Sequence, residues 1–260
     1  MSWDFGGKTA LVTGGAGGIG EAIVRKLAAA GAAVVFTDLV KPASQALEEE
    51  LRGSGADVRF ILADVTQEDQ VRALVGAALG VSGRLDMAIN TVGGISREKG
   101  DHSSKRIHDT DLSSWRATQD FNLTSCFLSM KYEIPPMMAQ GKGAIVNLTS
   151  LAGMRFSDKS SPAYASAKAG VIHLTRYAAA AYAEAGVRVN VVAPGLTATP
   201  ILLAQMPDVE ARNARAKGKI PMGRMIDPGE TADACVWACS DFASAVTGLT
   251  IPVDGGQAAL

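Results

Sequence analysis

Thr9-Ala-Leu-Val-Thr13-Gly14-Gly15-Ala16-Gly17-Gly18-Ile19-Gly20 is the stretch that decides the fold. A short apolar run, read as a strand, enters a glycine cluster, and the chain then shows helical spacing over 20–30. Ile23, Val24 and Leu27 form the buried stripe of that helix, and Gly31 stops it. Glycine permits the tight turn and lets a phosphate approach the backbone. A helix N-terminus offers free N–H groups and a positive dipole end to a pyrophosphate. Gly14, Gly17, Gly18, Ile19 and Gly20 are therefore candidate dinucleotide contacts. The turn contains no lysine, so it is not the Gly-Lys-Ser/Thr loop of phosphoryl-transfer proteins.

Working outward, strands and helices keep alternating. Apolar runs predict strands over 32–37, 58–62, 85–89, 144–149, 188–192 and 250–253. Amphipathic stretches predict helices over 44–52, 68–79, 115–138, 164–184 and 230–239. Pro135-Pro136 is expected to end or kink the long 115–138 helix. Strands that are apolar throughout, joined by helices, imply a parallel sheet covered on both faces. Right-handed crossovers make it an α/β, doubly wound, Rossmann-type fold. No linker, repeat or low-complexity segment interrupts it, so 1–260 reads as a single domain.

The chain has 260 residues, 47% hydrophobic and 20% charged, enough for one large core. A net charge of -1 argues against nucleic-acid or anionic-membrane partners. The first residues lack the pattern of a signal peptide. No apolar run reaches the ~18 residues of a spanning helix. A soluble, cytoplasmic protein is expected. Cys126, Cys235 and Cys239 are odd in number and read as buried thiols. His102, His108 and His173 have no ligand spacing with cysteines or carboxylates, so no metal site is assigned.

In a doubly wound sheet, ligands bind beyond the C-terminal ends of the strands. Asp38 falls there, 18 residues after Gly20. A carboxylate at that place accepts from the adenosine ribose hydroxyls and repels a 2′-phosphate. No Arg or Lys lies in the glycine turn and Leu39 follows Asp38, so NAD is favoured over NADP. Asp64 can accept from the adenine amino group while Val65 packs on the ring. Asn90, Ser150 and Pro194-Gly195 fall at later strand ends.

Tyr164 and Lys168 are four apart, one turn apart on one helical face. A phenol ionises near ~10. A neighbouring ammonium favours the phenolate, which makes the pair an acid/base. Ser150, at the end of its strand, can hydrogen-bond a carbonyl or carbinol oxygen. Taken alone, a Tyr-x-x-x-Lys pair is commonly a structural tyrosine beside a solvated lysine, and the surrounding motifs decide.

The glycine turn, Asp64-Val65, the Asn90–Gly93 turn, Asn122, Ser150, Tyr164, Lys168 and Pro194-Gly195 occur in one order. Together they resemble the short-chain dehydrogenase/reductase family, from Lys8 to Val253-Asp-Gly-Gly256. The family's Thr-Gly-x-x-x-Gly-x-Gly is met at Thr13, Gly14, Gly18 and Gly20. The resemblance implies hydride transfer between a nicotinamide and a secondary alcohol or ketone. By the same resemblance, Tyr164 is the general acid/base and Ser150 holds the substrate oxygen. Lys168 lowers the Tyr164 pKa and binds the nicotinamide ribose. Asn122 fixes a water that relays protons from Lys168. Gly195 and Thr197 meet the nicotinamide end, and Thr199 bonds the carboxamide or a phosphate. A homotetramer is the common assembly; the alanine-rich 164–184 helix, the 115–138 helix with Phe121, Phe127 and Met130, and the 246–251 stretch are its candidate surfaces. A 3-oxoacyl-thioester reductase and a non-catalytic NAD sensor are the rival readings.

Three departures stand out. Asn90-Thr91-Val92-Gly93 replaces the family's Asn-Asn-Ala-Gly. Ser150 to Tyr164 spans 14 positions, about one more than is usual, so a residue should bulge from that loop. The polar 94–113 stretch, with Arg97, Lys99, His102, Lys105, Arg106 and His108, is longer than usual and reads as a surface insertion. Leu151, Ala152, Met154, Phe156, Pro162 and the 196–206 stretch are the candidate substrate walls, which favours an uncharged, rather apolar alcohol or ketone. The 196–219 segment reads as a mobile lid.

Overall fold

The central strands bury both faces, and their successive side chains serve different layers. The computed structural model describes residues 3–94, 106–158 and 160–260. Its strands are β1 Thr9–Thr13, β2 Ala33–Thr37, β3 Val58–Phe60, β4 Met87–Asn90, β5 Gly143–Leu148, β6 Val187–Pro194 and β7 Thr250–Val253. All pair in parallel, in the order β3-β2-β1-β4-β5-β6-β7. Ala10, Val12, Val34, Phe36, Met87 and Ile89 face one layer, with helices α1 Gly18–Ala29, α2 Lys41–Gly53 and, far along the chain, Pro228–Cys239. Leu11, Val35, Ala88, Ile145 and Val189 face the other, with α3 Glu68–Ser82 and two later helices. This is the period-2 alternation of a sheet covered on both sides. Ile23, Val24 and Leu27 are fully buried, as the stripe predicted. Each contributes roughly 1.5–3 kcal/mol of transfer energy.

The chain runs from β1 outward to β3 and then returns to place β4 on the other side of β1. Thr13 is in register with both Thr37 and Asn90. The strand ends of the two halves therefore meet at one crevice, the usual place for a ligand.

The long helix differs from its expectation. It is built of α4 Leu112–Gln119, one π-turn at Asp120–Thr124, and α5 Ser125–Gln140. Pro135 and Pro136 lie inside α5, which runs on to Gln140 and stops at left-handed Gly141. Ile134 and Met137, on either side of the prolines, are both buried, and that packing holds the helix together across the lost N–H groups. The break falls instead at the π-turn, which carries Asn122. The next helix, α6 Pro162–Tyr182, starts earlier than predicted because Ser161 caps it, accepting from Tyr164 N. Two helices were not anticipated, α7 Pro200–Gln205 and α8 Val209–Lys219. Pro228–Cys239, now α9, opens with a capping box between Asp227 and Glu230.

All three cysteines are free and buried. Burial pushes the Cys126 and Cys239 thiols up to about 12, far from a reactive thiolate. Among the described residues no helix is long and apolar enough to cross a membrane. Arg97, Lys99, His102 and Lys105 lie outside the described residues; Arg106 and His108 are exposed.

Candidate active site

The glycine turn is fixed by close backbone approaches. Gly14 sits at φ 71°, in the left-handed region, and a Cβ there would stand 2.6 Å from Thr91 Oγ1. A Cβ on Gly20 would overlap the Gly14 carbonyl oxygen. Thr91, the departure from the family pattern, donates its hydroxyl to Thr13 O at 2.6 Å and so braces the turn from β4. Gly18 faces the start of α7, where a Cβ would come within 2.8 Å of Pro200 Cδ. Gly17 is the N-cap of α1 and has no side chain to cap the helix. A Cβ on it would find nothing nearer than 3.5 Å. An uncapped helix N-terminus with open space before it fits a pyrophosphate. Ile19 packs its side chain on the core, leaving its backbone to the turn.

Asp38 stands at the end of β2 beside this turn. Its carboxylate accepts from Ala16 N at 3.1 Å and from Val40 N at 3.1 Å, which fixes its direction. Asp64 is held in the same way, accepting from Thr66 N and Thr66 Oγ1. Val65 is 4% exposed and packed in the core, so its side chain does not present an open face to an adenine.

Asn90, expected among the cofactor contacts, ends β4. Its side chain turns inward: Nδ2 donates to Glu133 Oε2 at 3.0 Å and to Asn147 Oδ1 at 3.0 Å. Asn147 donates on to Thr175 Oγ1. This is a buried polar network beneath the crevice, made where two strands and two helices must satisfy polar groups away from water. Glu133 is fully buried and its Oε1 has no partner. Burial raises its carboxyl pKa to about 7, the Asn90 hydrogen bond opposing.

Ser150, Tyr164 and Lys168 come together at the end of β5. Ser150 accepts from Ala152 N at 3.2 Å, which aims its hydroxyl at the crevice mouth. Tyr164 occupies the first turn of α6 and interacts with the Ser150 hydroxyl. Lys168 is 2% exposed, and its ammonium donates to Leu148 O at 3.1 Å. Burial lowers its pKa to about 8, with Cys126 opposing. Burial raises the Tyr164 pKa, with the Ser150 hydrogen bond opposing. The sequence reading expected a lowered value. Lys168 Nζ lies 5.8 Å from the centroid of the Tyr164 ring, over the ring, and desolvation is the larger effect.

Asn122 is buried on the π-turn, with its side chain clamped to Gly94: Oδ1 accepts from Gly94 N at 2.9 Å and Nδ2 donates to Gly94 O at 2.8 Å. A Cβ on Gly93 would overlap Lys168 Nζ and stand 2.8 Å from Asn122 Oδ1. Asn122 and Lys168 thus flank the same glycine, and the π-turn is what brings the asparagine there. At the end of β6, Thr197 turns its hydroxyl back to Gly195 O at 3.1 Å, and Thr199 caps α7 by accepting from Leu202 N. Gly195 lies against Asp254, where a Cβ would come within 2.8 Å of Asp254 Cα.

Beside Ser150 opens a cleft of about 430 Å³. Leu151, Ala152, Phe156 and Leu196 line it, as the sequence suggested, together with Pro194; Met154 and Pro162, also expected as walls, are not among its lining residues. Phe156 is 90% exposed, in keeping with an outward bulge of this loop. The wall also holds Arg155, Arg215 and Lys219, which the sequence reading did not anticipate. They come from segments some 60 residues apart, so no local motif announces them.

A family model described as enoyl-(acyl carrier protein) reductase matches residues 14–258. Cis-4-hydroxycyclohexanecarboxylate dehydrogenase of Sinomonas cyclohexanicum is 40% identical over 260 residues, 100% of each chain. The chain belongs to the short-chain dehydrogenase/reductase family. Cyclohexanol dehydrogenase of an Acinetobacter species is 36% identical, over 98% of this chain and 96% of its own. An oxidoreductase of the short-chain dehydrogenase/reductase family from Burkholderia thailandensis has a solved structure that superposes with a TM-score of 0.85. It is 34% identical and covers 97% of this chain and 93% of its own. This short-chain dehydrogenase/reductase is accordingly an oxidoreductase acting on alcohol substrates. Dehydrogenases of the family use a nicotinamide cofactor, and the uncapped α1 N-terminus at Gly17 fits one.

Proposed function

We propose that this enzyme is an NAD-dependent dehydrogenase of cyclic secondary alcohols, with Tyr164 as general acid/base. The observation that carries the reading is the meeting of Ser150, Tyr164 and Lys168 at the end of β5, where Ser150 also lines the cleft. NAD, when bound, supplies the hydride acceptor. Ser150 holds the substrate oxygen and Tyr164 takes the carbinol proton. Lys168 binds the nicotinamide ribose and exchanges protons toward Asn122, which flanks the same glycine. Gly195, Thr197 and Thr199 border the nicotinamide end. Asp38 accepts from the adenosine ribose and opposes a 2′-phosphate. Asp64 has lone pairs left for the adenine. Both curated relatives named above take a cyclohexane ring by name, and a cleft of about 430 Å³ has room for one.

The test is oxidation of cyclohexanol and acyclic secondary alcohols, followed at 340 nm with each cofactor. NAD should exceed NADP by at least about tenfold in kcat/KM, roughly 1.4 kcal/mol. Asp38→Ala combined with Leu39→Arg should move the preference toward NADP. Equal use of both cofactors sinks the NAD assignment, and failure to oxidise any secondary alcohol sinks the dehydrogenase reading. A tetramer accompanies this proposal. Phe127 on α5 and Tyr177 on α6 are 46% and 67% exposed, and β7 offers a second edge. Met130, read from the sequence as part of that surface, is 3% exposed and belongs to the core. Light scattering that gives the 26.9 kDa of one chain would exclude it.

A further inference from the structure

The proposed chemistry leaves three cations on the cleft wall without a task. Arg155 follows β5, while Arg215 and Lys219 lie on the last turns of α8, and all three line the cleft with Ser150. Elsewhere Arg25, Arg84, Lys131 and Arg224 are paired with carboxylates. Among the described residues, none of the three cleft cations is. The Arg215 guanidinium is half-buried and meets Met206 Sδ at 3.6 Å, a weak acceptor. Asp158 is the acid on the same wall, and it is already engaged. Three cations against one carboxylate leave this concave surface net positive, which favours an anion there.

We propose that the substrate alcohol carries a carboxylate remote from its carbinol carbon, and that Arg215, assisted by Arg155 and Lys219, anchors it. The inference rests on the dehydrogenase reading of the same cleft and names its substrate class. The apolar residues Leu151, Ala152 and Leu196 face the ring; the cations face its charged end. A guanidinium fork matches a carboxylate in plane and spacing. Arg215 and Lys219 sit near the C-terminal, negative end of the α8 dipole, which stabilises the two cations themselves.

The experiment compares two substrates that differ in charge alone, 4-hydroxycyclohexanecarboxylate and its carboxamide, oxidised by the full chain with NAD. The acid should be preferred by at least about tenfold in kcat/KM, carried by KM. That preference should shrink as salt rises from about 0.05 to 0.5 M, where screening shortens the reach of the field. Arg215→Gln should raise KM for the acid about tenfold and leave the amide within about twofold, and Arg215→Lys should recover part of the loss. Calorimetry of 4-oxocyclohexanecarboxylate and its amide, titrated into enzyme with NADH, gives the same comparison without turnover.

Equal kcat/KM for acid and amide at every salt concentration overturns the inference, as does an Arg215→Gln variant that weakens both alike. If cyclohexanol and the amide are oxidised well and the acid poorly, the dehydrogenase reading stands and the anchor falls. If no alcohol turns over but the keto acid binds through Arg215, the anchor stands and the dehydrogenase reading falls.

Discussion

A methyl group on Gly20 would run into the Gly14 carbonyl, whereas the whole phenyl ring of Phe156 lies 90% exposed a few residues after Ser150. The two places lie beyond the C-terminal ends of strands in one sheet and are built on opposite principles. The nucleotide side is made of backbone: a left-handed glycine, an uncapped helix end, and a Thr91 hydroxyl that braces the turn. Its shape follows from the fold, and a single added carbon disturbs it. The substrate side is made of side chains from the loop after β5 and from α8, several of them half in water. Its shape is free to change without cost to the core. Tyr164 stands where the two meet.

The largest effect is expected at that junction. Tyr164→Phe should lower kcat by roughly 100-fold or more. NADH binding, measured by cofactor fluorescence, should be nearly unchanged; a variant that keeps most of its activity removes Tyr164 from the mechanism. Alcohol oxidation by the wild type should also climb with pH through about 8, where the buried Lys168 loses its proton, and beyond. The raised Tyr164 phenol must accept a proton in this direction, so a flat profile between pH 6 and 10 contradicts the assignment.

Gly20→Ala probes the rigid side. The clash is with backbone, which cannot turn aside, so a loss of about 3 kcal/mol in urea denaturation is expected. A loss below about 1 kcal/mol would mean that the turn is more pliable than its contacts indicate.

Beneath the turn, Glu133→Gln keeps an oxygen for Asn90 and removes a buried carboxyl. The folded-state pKa of Glu133 is raised from 4.5 to about 7. The stability it contributes is therefore fully present below about pH 4.5 and is lost as pH rises through about 7. Between those limits the variant should gain on the wild type by roughly 3 kcal/mol, as chemical denaturation at pH 4.5 and pH 8 would show. A gap that does not change with pH would place the titration elsewhere.

Phe156→Ala is the smallest change in stability, within about 0.5 kcal/mol, because the ring buries almost nothing. A larger loss, or a change in mass by light scattering, would mean that the ring is covered in an assembly and that the substrate side is less free than its exposure suggests.

The sheet was legible because strands such as Val34–Phe36 are apolar on both faces and the helices between them carry clear stripes. Ser150, Tyr164 and Lys168 were legible as a spacing, and the fold brings them together. What the sequence hid depends on direction and distance. Nothing in Asn90 itself tells that its amide points down to Glu133, nor in Val65 that its side chain joins the core. Pro135-Pro136 carried a strong local signal that the buried neighbours Ile134 and Met137 override. Helix α8 has Ala216 as its buried residue and a polar composition, so it showed no stripe to read. Arg155 and Arg215 are joined by tertiary structure alone.

The contact between Gly18 and Pro200 carries a further consequence. The proline that would meet a Cβ on the glycine turn is also the first residue of α7, and Thr199 beside it caps that helix. The segment that brings Arg215 and Lys219 to the cleft is thus anchored at its start against the loop proposed to receive the phosphates. A nucleotide settling on that loop would steady that segment at its start before any alcohol arrives. Kinetically this favours a compulsory sequence, with the dinucleotide first on and last off, and the alcohol entering a chamber whose far wall has already been set.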